Sequence, residues 1–339
     1  MRIAAVSFHW AHEDIGGAQV PAVAFKQWCD IFGIKCDLLG FTNEYIDTMH
    51  LRPDFVYLDL EERFLSVING YDAVYFCTPG PMNDEGSGRF DFSGIKVPYV
   101  FHVHGEYDLS KMYNPFNVAD LTNNVSCVGI ATIDPRGAFW PFSKPMFPWH
   151  PCTLPAYLWK PTDPIIRNNG EGVIYAARIA RSKNPYLFSW MAKRHPHLGP
   201  FHMYGIRNKM GRTVIEIDES GIRRFPSLTN VYDVKGTMER NAKHKFFFDV
   251  FGNDTLEIKM PRLNLSAVEA LRSGCIPIVD MDVVPYNIHP ISLDYRRISE
   301  YREPDPELYR ATILSSQYSY AAVEGQVAKI VTALKGSKI

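Results

Sequence analysis

Hydrophobic positions along the chain fall into short continuous runs, separated by longer stretches with the spacing of amphipathic helices. Arg2–Ser7 reads as a buried strand, followed by a glycine-bearing turn and a helix over about Val20–Phe32. Compact apolar runs of strand length recur at Lys35–Leu39, Ala73–Cys77, Tyr99–Val103 and Ser126–Ile130. Alternating β and α segments predict a mostly parallel sheet with helices on both faces.

The pattern restarts after Lys160-Pro-Thr-Asp-Pro164 and Arg167-Asn-Asn-Gly-Glu-Gly172, where proline and then glycine and asparagine give linker composition. A second series of strands is expected near Gly172–Ala177, Phe201–Tyr204, Lys245–Phe251 and Ile276–Asp280. Helices are expected at Asn184–Arg194, Ser266–Ser273 and Tyr320–Leu334. The 339 residues suit two domains. The reading is an α/β protein with one Rossmann-like domain over 1–162 and a second over 172–315. The last helix, within 316–339, is expected to pack back on the first domain. Two such domains place a ligand cleft at the carboxyl ends of their strands, so functional residues should follow strands directly.

Composition narrows the partners. Hydrophobic residues at 46% and charged residues at 22% are ordinary for a soluble enzyme. A net charge of −1 supplies no global attraction to nucleic acid or to an anionic membrane, so a polyanionic partner needs a local patch. One candidate is Arg207–Lys245, which carries nine Lys/Arg against five Asp/Glu. It reads either as a seat for a phosphate backbone or as a solvated face. Phe246–Phe248 reads as a core strand rather than a base-stacking platform. The six cysteines show no CxxC spacing and are expected to be buried free thiols of a reducing compartment. The chain opens directly on a strand-like run with no room for a signal peptide. No apolar stretch approaches the roughly 18 residues of a membrane span. A cytoplasmic protein is expected.

Four motifs carry candidate chemistry. Ile15-Gly16-Gly17-Ala18-Gln19 follows the opening strand, where paired glycines admit a ligand close to the backbone or simply form a flexible turn. It is not a GxGxxG dinucleotide fingerprint. In Phe101-His102-Val103-His104-Gly105, strand alternation puts the two rings on opposite faces. That argues against a shared metal and for His104, at the strand end, as the histidine facing the cleft. Tyr175-Ala176-Ala177-Arg178-Ile179-Ala180-Arg181-Ser182-Lys183-Asn184-Pro185 sets Arg178 and Lys183 between a strand end and a helix start. Fixed cations beside a helix N-terminus stabilise a departing diphosphate without a metal, although a solvated basic loop has the same composition. In Asn264-Leu265-Ser266-Ala267-Val268-Glu269, Ser266 and Glu269 have the spacing of a helix capping box. Glu269 is equally suited to accept hydrogen bonds from ribose hydroxyls. Gly274 should end that helix.

The third and fourth motifs together resemble the second domain of retaining GT-B glycosyltransferases of the family-4 type. In that family a strand leads into an arginine and a lysine, and later comes a Glu-Ala-(Leu/Met)-x-x-Gly-x-Pro-(Val/Ile) run, to which Glu269–Ile278 is similar with one residue more between glycine and proline. Gly16-Gly17-Ala18 resembles the family's N-terminal glycine loop, His104-Gly105 its first-domain histidine, and Leu154–Pro161 the segment that closes the first domain. The resemblance implies a GT-B fold of two facing Rossmann-like domains. It also implies transfer from a nucleoside diphosphate sugar, with a UDP-sugar the best fit, to a hydroxyl with retention of configuration and without a metal.

Residue by residue, the resemblance assigns Arg178 and Lys183 to the diphosphate, Glu269 to the ribose and Gly17, with Gly16, to the donor phosphates or sugar. His104 falls near the reacting centre, and Asn264, Leu265 and Ser266 near the donor. Pro261 stands where the family often has a second glutamate, and Ala177 stands where a glycine usually precedes the arginine.

A narrower similarity runs to the α-glucosyltransferases with which T-even-like phages decorate hydroxymethylated bases of double-stranded DNA. It rests on His104…Leu109-Ser110 and Tyr204-Gly205-Ile206-Arg207. A glycan, lipid or small-molecule acceptor is the alternative, as is a GT-B-shaped binding protein without turnover. Asp280-Met281-Asp282 has the form of a DxD metal motif but follows the strand after Glu269, a poor place for that task. Glu61-Glu62 cannot flank a glycosidic bond from two sides.

Overall fold

The structure is a computed structural model. It describes residues 1–7, 20–42, 54–59, 64–77, 92–103, 123–132, 144–149, 154–164, 170–177, 179, 183–205, 217–225, 233–250, 263, 265–282, 284 and 286–336. The chain forms two compact units, Met1–Pro155 with Ala321–Ile339, and Ala156–Tyr320.

The first unit is built on seven parallel strands: β1 (Arg2–Ser7), β2 (Lys35–Thr42), β3 (Phe55–Asp59), β4 (Ala73–Cys77), β5 (Tyr99–Val103), β6 (Cys127–Thr132) and β7 (Met146–Pro148). Their order across the sheet is β3-β2-β1-β4-β5-β6-β7. β4 is buried at every position because helices or loops cover both faces of a central parallel strand, which is why it reads as an unbroken apolar run. On one face Phe25, from helix α1 (Val20–Ile31), stacks on Tyr75 at 4.1 Å. The Tyr75 hydroxyl meets Nδ1 of fully buried His102 at 2.5 Å, so His102 is a packed residue of this core. Helix α7 (Tyr320–Gly336) buries Val323, Val327, Ile330, Val331 and Leu334, the stripe of one helix face.

The second unit repeats the plan with six parallel strands: β8 (Val173–Ala176), β9 (Phe201–Tyr204), β10 (Ile222–Phe225), β11 (Phe246–Asp249), β12 (Ile276–Val279) and β13 (Leu293–Asp294). The order is β10-β9-β8-β11-β12-β13. Phe246, Phe247 and Phe248 are all buried in β11 and form core, as their continuous apolar run implies. Trp159 packs into this unit's core, and its carbonyl accepts from the Tyr320 amide at 2.9 Å. Helices α3 (Pro185–Arg194), α4 (Val234–Asn241), α5 (Leu265–Arg272) and α6 (Pro306–Ser315) surround the sheet, and a short α2 (Phe64–Ile68) belongs to the first unit.

Both sheets therefore have the 3-2-1-4-5-6 order of Rossmann-like folds, with one strand added in the first. The chain reverses its direction of travel across the sheet between β1 and β4 in one unit, and between β8 and β11 in the other. Those reversals open the crevices where ligands of such sheets bind. The five described cysteines are buried, and none forms a disulfide among the described residues. Among the described residues no helix is long and apolar enough to cross a membrane.

Candidate functional site

The crevice of the second sheet lies beyond the carboxyl ends of β8 and β11, and β8 runs directly into the segment of Arg178 and Lys183. Arg178 itself lies outside the described residues, as do Gly16, Gly17, His104 and Asn264. Lys183 is half-buried and immediately precedes Asn184, the N-cap of α3. Asn184 adopts a left-handed φ of 48°, and its side chain accepts from the Leu187 amide at 3.3 Å. Pro185 at the first helical position needs no partner for an amide hydrogen. The sequence thus ends β8, turns, and starts a helix whose positive pole lies beside Lys183.

Tyr204 ends β9 opposite Ala176 at the end of β8, and Gly205 follows. A Cβ on Gly205 would lie 2.7 Å from the Ala177 carbonyl and 2.9 Å from Ile179 Cγ1. Only a glycine lets the chain after β9 lie this close to Ala177 and Ile179, a physical reason for the Tyr-Gly pair.

Glu269 sits in α5, with a 7% exposed side chain. The helix begins at Leu265, so Ser266 lies inside its first turn and the capping-box geometry does not form. Gly274, at φ 81°, closes the helix instead. Its amide donates to Leu271 and the Cys275 amide to Ala270, both at 2.9 Å, which is a Schellman motif. Burial raises the Glu269 carboxyl to about 8, opposed by the positive charge of Arg240. Arg240, half-buried on α4, also feels Tyr204 and Tyr157, and its guanidinium lies 5.5 Å from the Tyr204 ring centre. Burial first, and then the charge of Glu269, pushes Tyr157 well above the ordinary tyrosine range. Sequence reading missed this group because Tyr157, Tyr204, Arg240 and Glu269 come from four separate segments.

Beneath it, His244 donates Nδ1–H to the Arg240 carbonyl at 2.9 Å, and its Nε2 meets Nδ1 of His202 at 2.7 Å. Burial depresses His244 to about 4.

Among the described residues, four cations of the basic stretch are engaged by carboxylates. Arg224 pairs with Glu219 at 2.9 Å, Lys235 with Glu239 at 3.9 Å and Lys245 with Glu303 at 3.1 Å, while Arg240 faces Glu269. Arg207, Lys209 and Arg212 lie outside the described residues. Asp280 and Asp282 both pair with Arg296, at 3.2 and 2.7 Å. Among the described residues no three His, Cys, Asp or Glu side chains group to hold a metal.

No family model matches the chain, and neither does any curated protein. Solved structures do. An alpha-glucosyltransferase in complex with UDP and a 13-mer DNA containing an HMU base aligns with a TM-score of 0.61 at 12% identity, over 98% of this chain and 94% of that one. The Anabaena HepE protein in complex with UDP-glucose aligns at 0.60 and 12% identity, over 98% and 100%. The pneumococcal O-GlcNAc transferase GtfA, in complex with UDP and GlcNAc, aligns at 0.57 and 10% identity, over 99% and 96%. With two parallel Rossmann-like sheets and matches that run nearly end to end, the chain has the fold of the GT-B glycosyltransferases.

Proposed function

We propose that the protein is a glycosyltransferase that takes a sugar from a nucleoside diphosphate sugar, with UDP as the carrier, and delivers it to an acceptor hydroxyl. The observation that carries this reading is the position of one segment. Lys183, beside the N-terminus of α3, follows β8 at the topological switch of the second sheet. A buried carboxylate, Glu269, lies on the same unit. Structural neighbours bound to UDP or UDP-glucose support the choice of carrier.

In this reading Arg178 and Lys183 neutralise the diphosphate as it leaves, and Glu269 accepts hydrogen bonds from the ribose. Asn264, Leu265 and Ser266 lie near the donor, Gly16 and Gly17 approach its phosphates or sugar, and His104 serves the reacting centre. The acceptor oxygen bonds to the anomeric carbon as the carbon–oxygen bond to the diphosphate breaks, and the diphosphate oxygen takes the acceptor proton. Attack and departure on the same face retain configuration. No metal is called for, because the cations and the helix pole supply the charge.

The acceptor we propose is a hydroxymethylated base in double-stranded DNA, supported by the neighbour holding HMU-containing DNA and by the Tyr204-Gly205 turn. One observation favours a second reading, a glycan acceptor: four of the six described cations of the basic stretch are paired or face Glu269. Incubation with radiolabelled UDP-glucose and duplexes with or without hydroxymethylated bases tests the choice. Label in the modified duplex alone, declining steeply with salt, supports the DNA acceptor. Turnover of the donor without label in any duplex rejects it.

A further inference from the structure

The outer face of α3 carries an aromatic patch that the donor reading does not use. Tyr186 and Trp190, one helical turn apart, are 48% and 49% exposed, and they are the exposed large aromatic residues among the described ones. Trp190 borders a surface cavity of about 470 Å³ whose lining is completed by Leu187, His195, Tyr295 and Arg296. All five residues belong to the second unit. The cavity runs along α3 from Leu187, four residues beyond Lys183, to His195 at the helix's C-terminal cap.

The polar groups of this cavity are held in place before any ligand arrives. Arg296 Nε donates to Asp294 at 3.0 Å, Nη1 to Asp282 at 2.7 Å, and Nη2 reaches Asp280 at 3.2 Å. Three carboxylates around one guanidinium leave a local excess of negative charge, which repels phosphate and sulfate. His195 packs edge-on to Trp190 at 5.6 Å. Burial, then the charges of His197 and Arg194, lowers its ionisation, so it is a neutral imidazole able to donate or accept.

We infer that this cavity is an accessory binding site for a pyranosyl unit of a neutral carbohydrate. The C–H face of a pyranose is apolar and weakly positive, and it lies flat on the negative face of an indole such as Trp190. Its hydroxyls can accept from Arg296 and exchange hydrogen bonds with neutral His195, both in the lining. The cavity has the size of small-ligand sites, which run to several hundred Å³. The local excess of negative charge disfavours a polyanion.

The test uses the full-length protein labelled with 5-fluorotryptophan, with Trp190→Phe assigning its fluorine resonance. Linear trisaccharides of glucose, galactose, mannose and N-acetylglucosamine are titrated to about 10 mM, where millimolar affinities are still read. Expected is a saturable shift of the Trp190 resonance by at least one of them, unaffected by saturating UDP. Tyr295→Ala should weaken it at least tenfold, the order of an anchor residue's share, with the unfolding midpoint retained. Insensitivity of the resonance to all four sugars overturns the inference. So does a response to inorganic phosphate, to a DNA duplex, or to protein concentration alone, which would mark an anion site, a nucleic-acid site or a self-association face. None of these outcomes depends on turnover, so the donor reading stands or falls separately.

Discussion

His202 Nδ1 and His244 Nε2 lie 2.7 Å apart with their rings at 87°, and the other nitrogen of His244 is committed to the Arg240 carbonyl. With Nδ1–H of His244 given to that carbonyl, Nε2 of the neutral ring accepts from Nδ1–H of His202. Burial lowers His244 to about 4 in the folded state, against an ordinary value near 6.5. The stability this contributes is full above about pH 6.5 and is lost as pH falls through 4. Urea unfolding between pH 7 and 4 should show a loss of about 2–3 kcal/mol from this source. In His244→Gln that acid limb should flatten.

Glu269 titrates with the opposite sign. Its folded value of about 8 exceeds the ordinary 4.5, so its contribution to stability is full below 4.5 and lost as pH rises through 8. Nucleotide binding should run the other way if ribose hydroxyls donate to the carboxylate. UDP affinity should then rise about tenfold from pH 7 to 9, following the ionised fraction. Titration calorimetry in buffers of different ionisation heat should detect proton release on binding. Glu269→Gln should show neither effect, and Arg240→Met, which removes the opposing cation, should move the midpoint upward.

Gly172 has φ +77°, and a Cβ placed there would lie 1.9 Å from the Pro200 carbonyl oxygen. Gly172→Ala therefore combines backbone strain with a collision against main chain at the entry to β8. A destabilisation of about 2–4 kcal/mol is expected in denaturant unfolding. Gly33, at φ +67° with open space around its Cβ position, should cost only about 1 kcal/mol as Gly33→Ala.

The same sheets explain what could be read from sequence. The runs at Arg2–Ser7, Ala73–Cys77, Tyr99–Val103, Phe201–Tyr204 and Ile276–Val279 are strands flanked on both sides, and several are buried throughout. The strands that sequence reading passed over, Phe55–Asp59, Met146–Pro148, Ile222–Phe225 and Leu293–Asp294, are the four sheet edges. Edge strands are short and half-solvated, as Val56 at 57% exposure illustrates; Ile222–Phe225 (IRRF) and Leu293–Asp294 lack a continuous apolar run, whereas Phe55–Leu58 (FVYL) was legible. Helix Val234–Asn241 was missed because VKGTMERN is polar and buries only Thr237 and Asn241. Pro306–Ser315 did carry a legible signal, an Asp305 cap followed by proline and Glu307.

At the candidate site, Glu269 was legible as an acid in a recognisable run. Its surroundings were not. Arg240 counted with a surface patch in the sequence, whereas the fold turns it toward Glu269 and Tyr204. Charge counting along a chain cannot separate a solvated cation from one that opposes a buried carboxylate.

The donor grip itself is tested most directly by thermal unfolding with and without UDP, UDP-glucose, GDP and dTDP, for the wild-type protein and for Arg178→Ala with Lys183→Ala. UDP at a hundred times its dissociation constant should raise the wild-type midpoint by about 5 °C. The double variant should unfold at the wild-type temperature without ligand, lose that rise, and lose sugar transfer with it. If no nucleotide stabilises the wild-type protein, or if the double variant responds to UDP as the wild type does, the diphosphate is not held by Arg178 and Lys183.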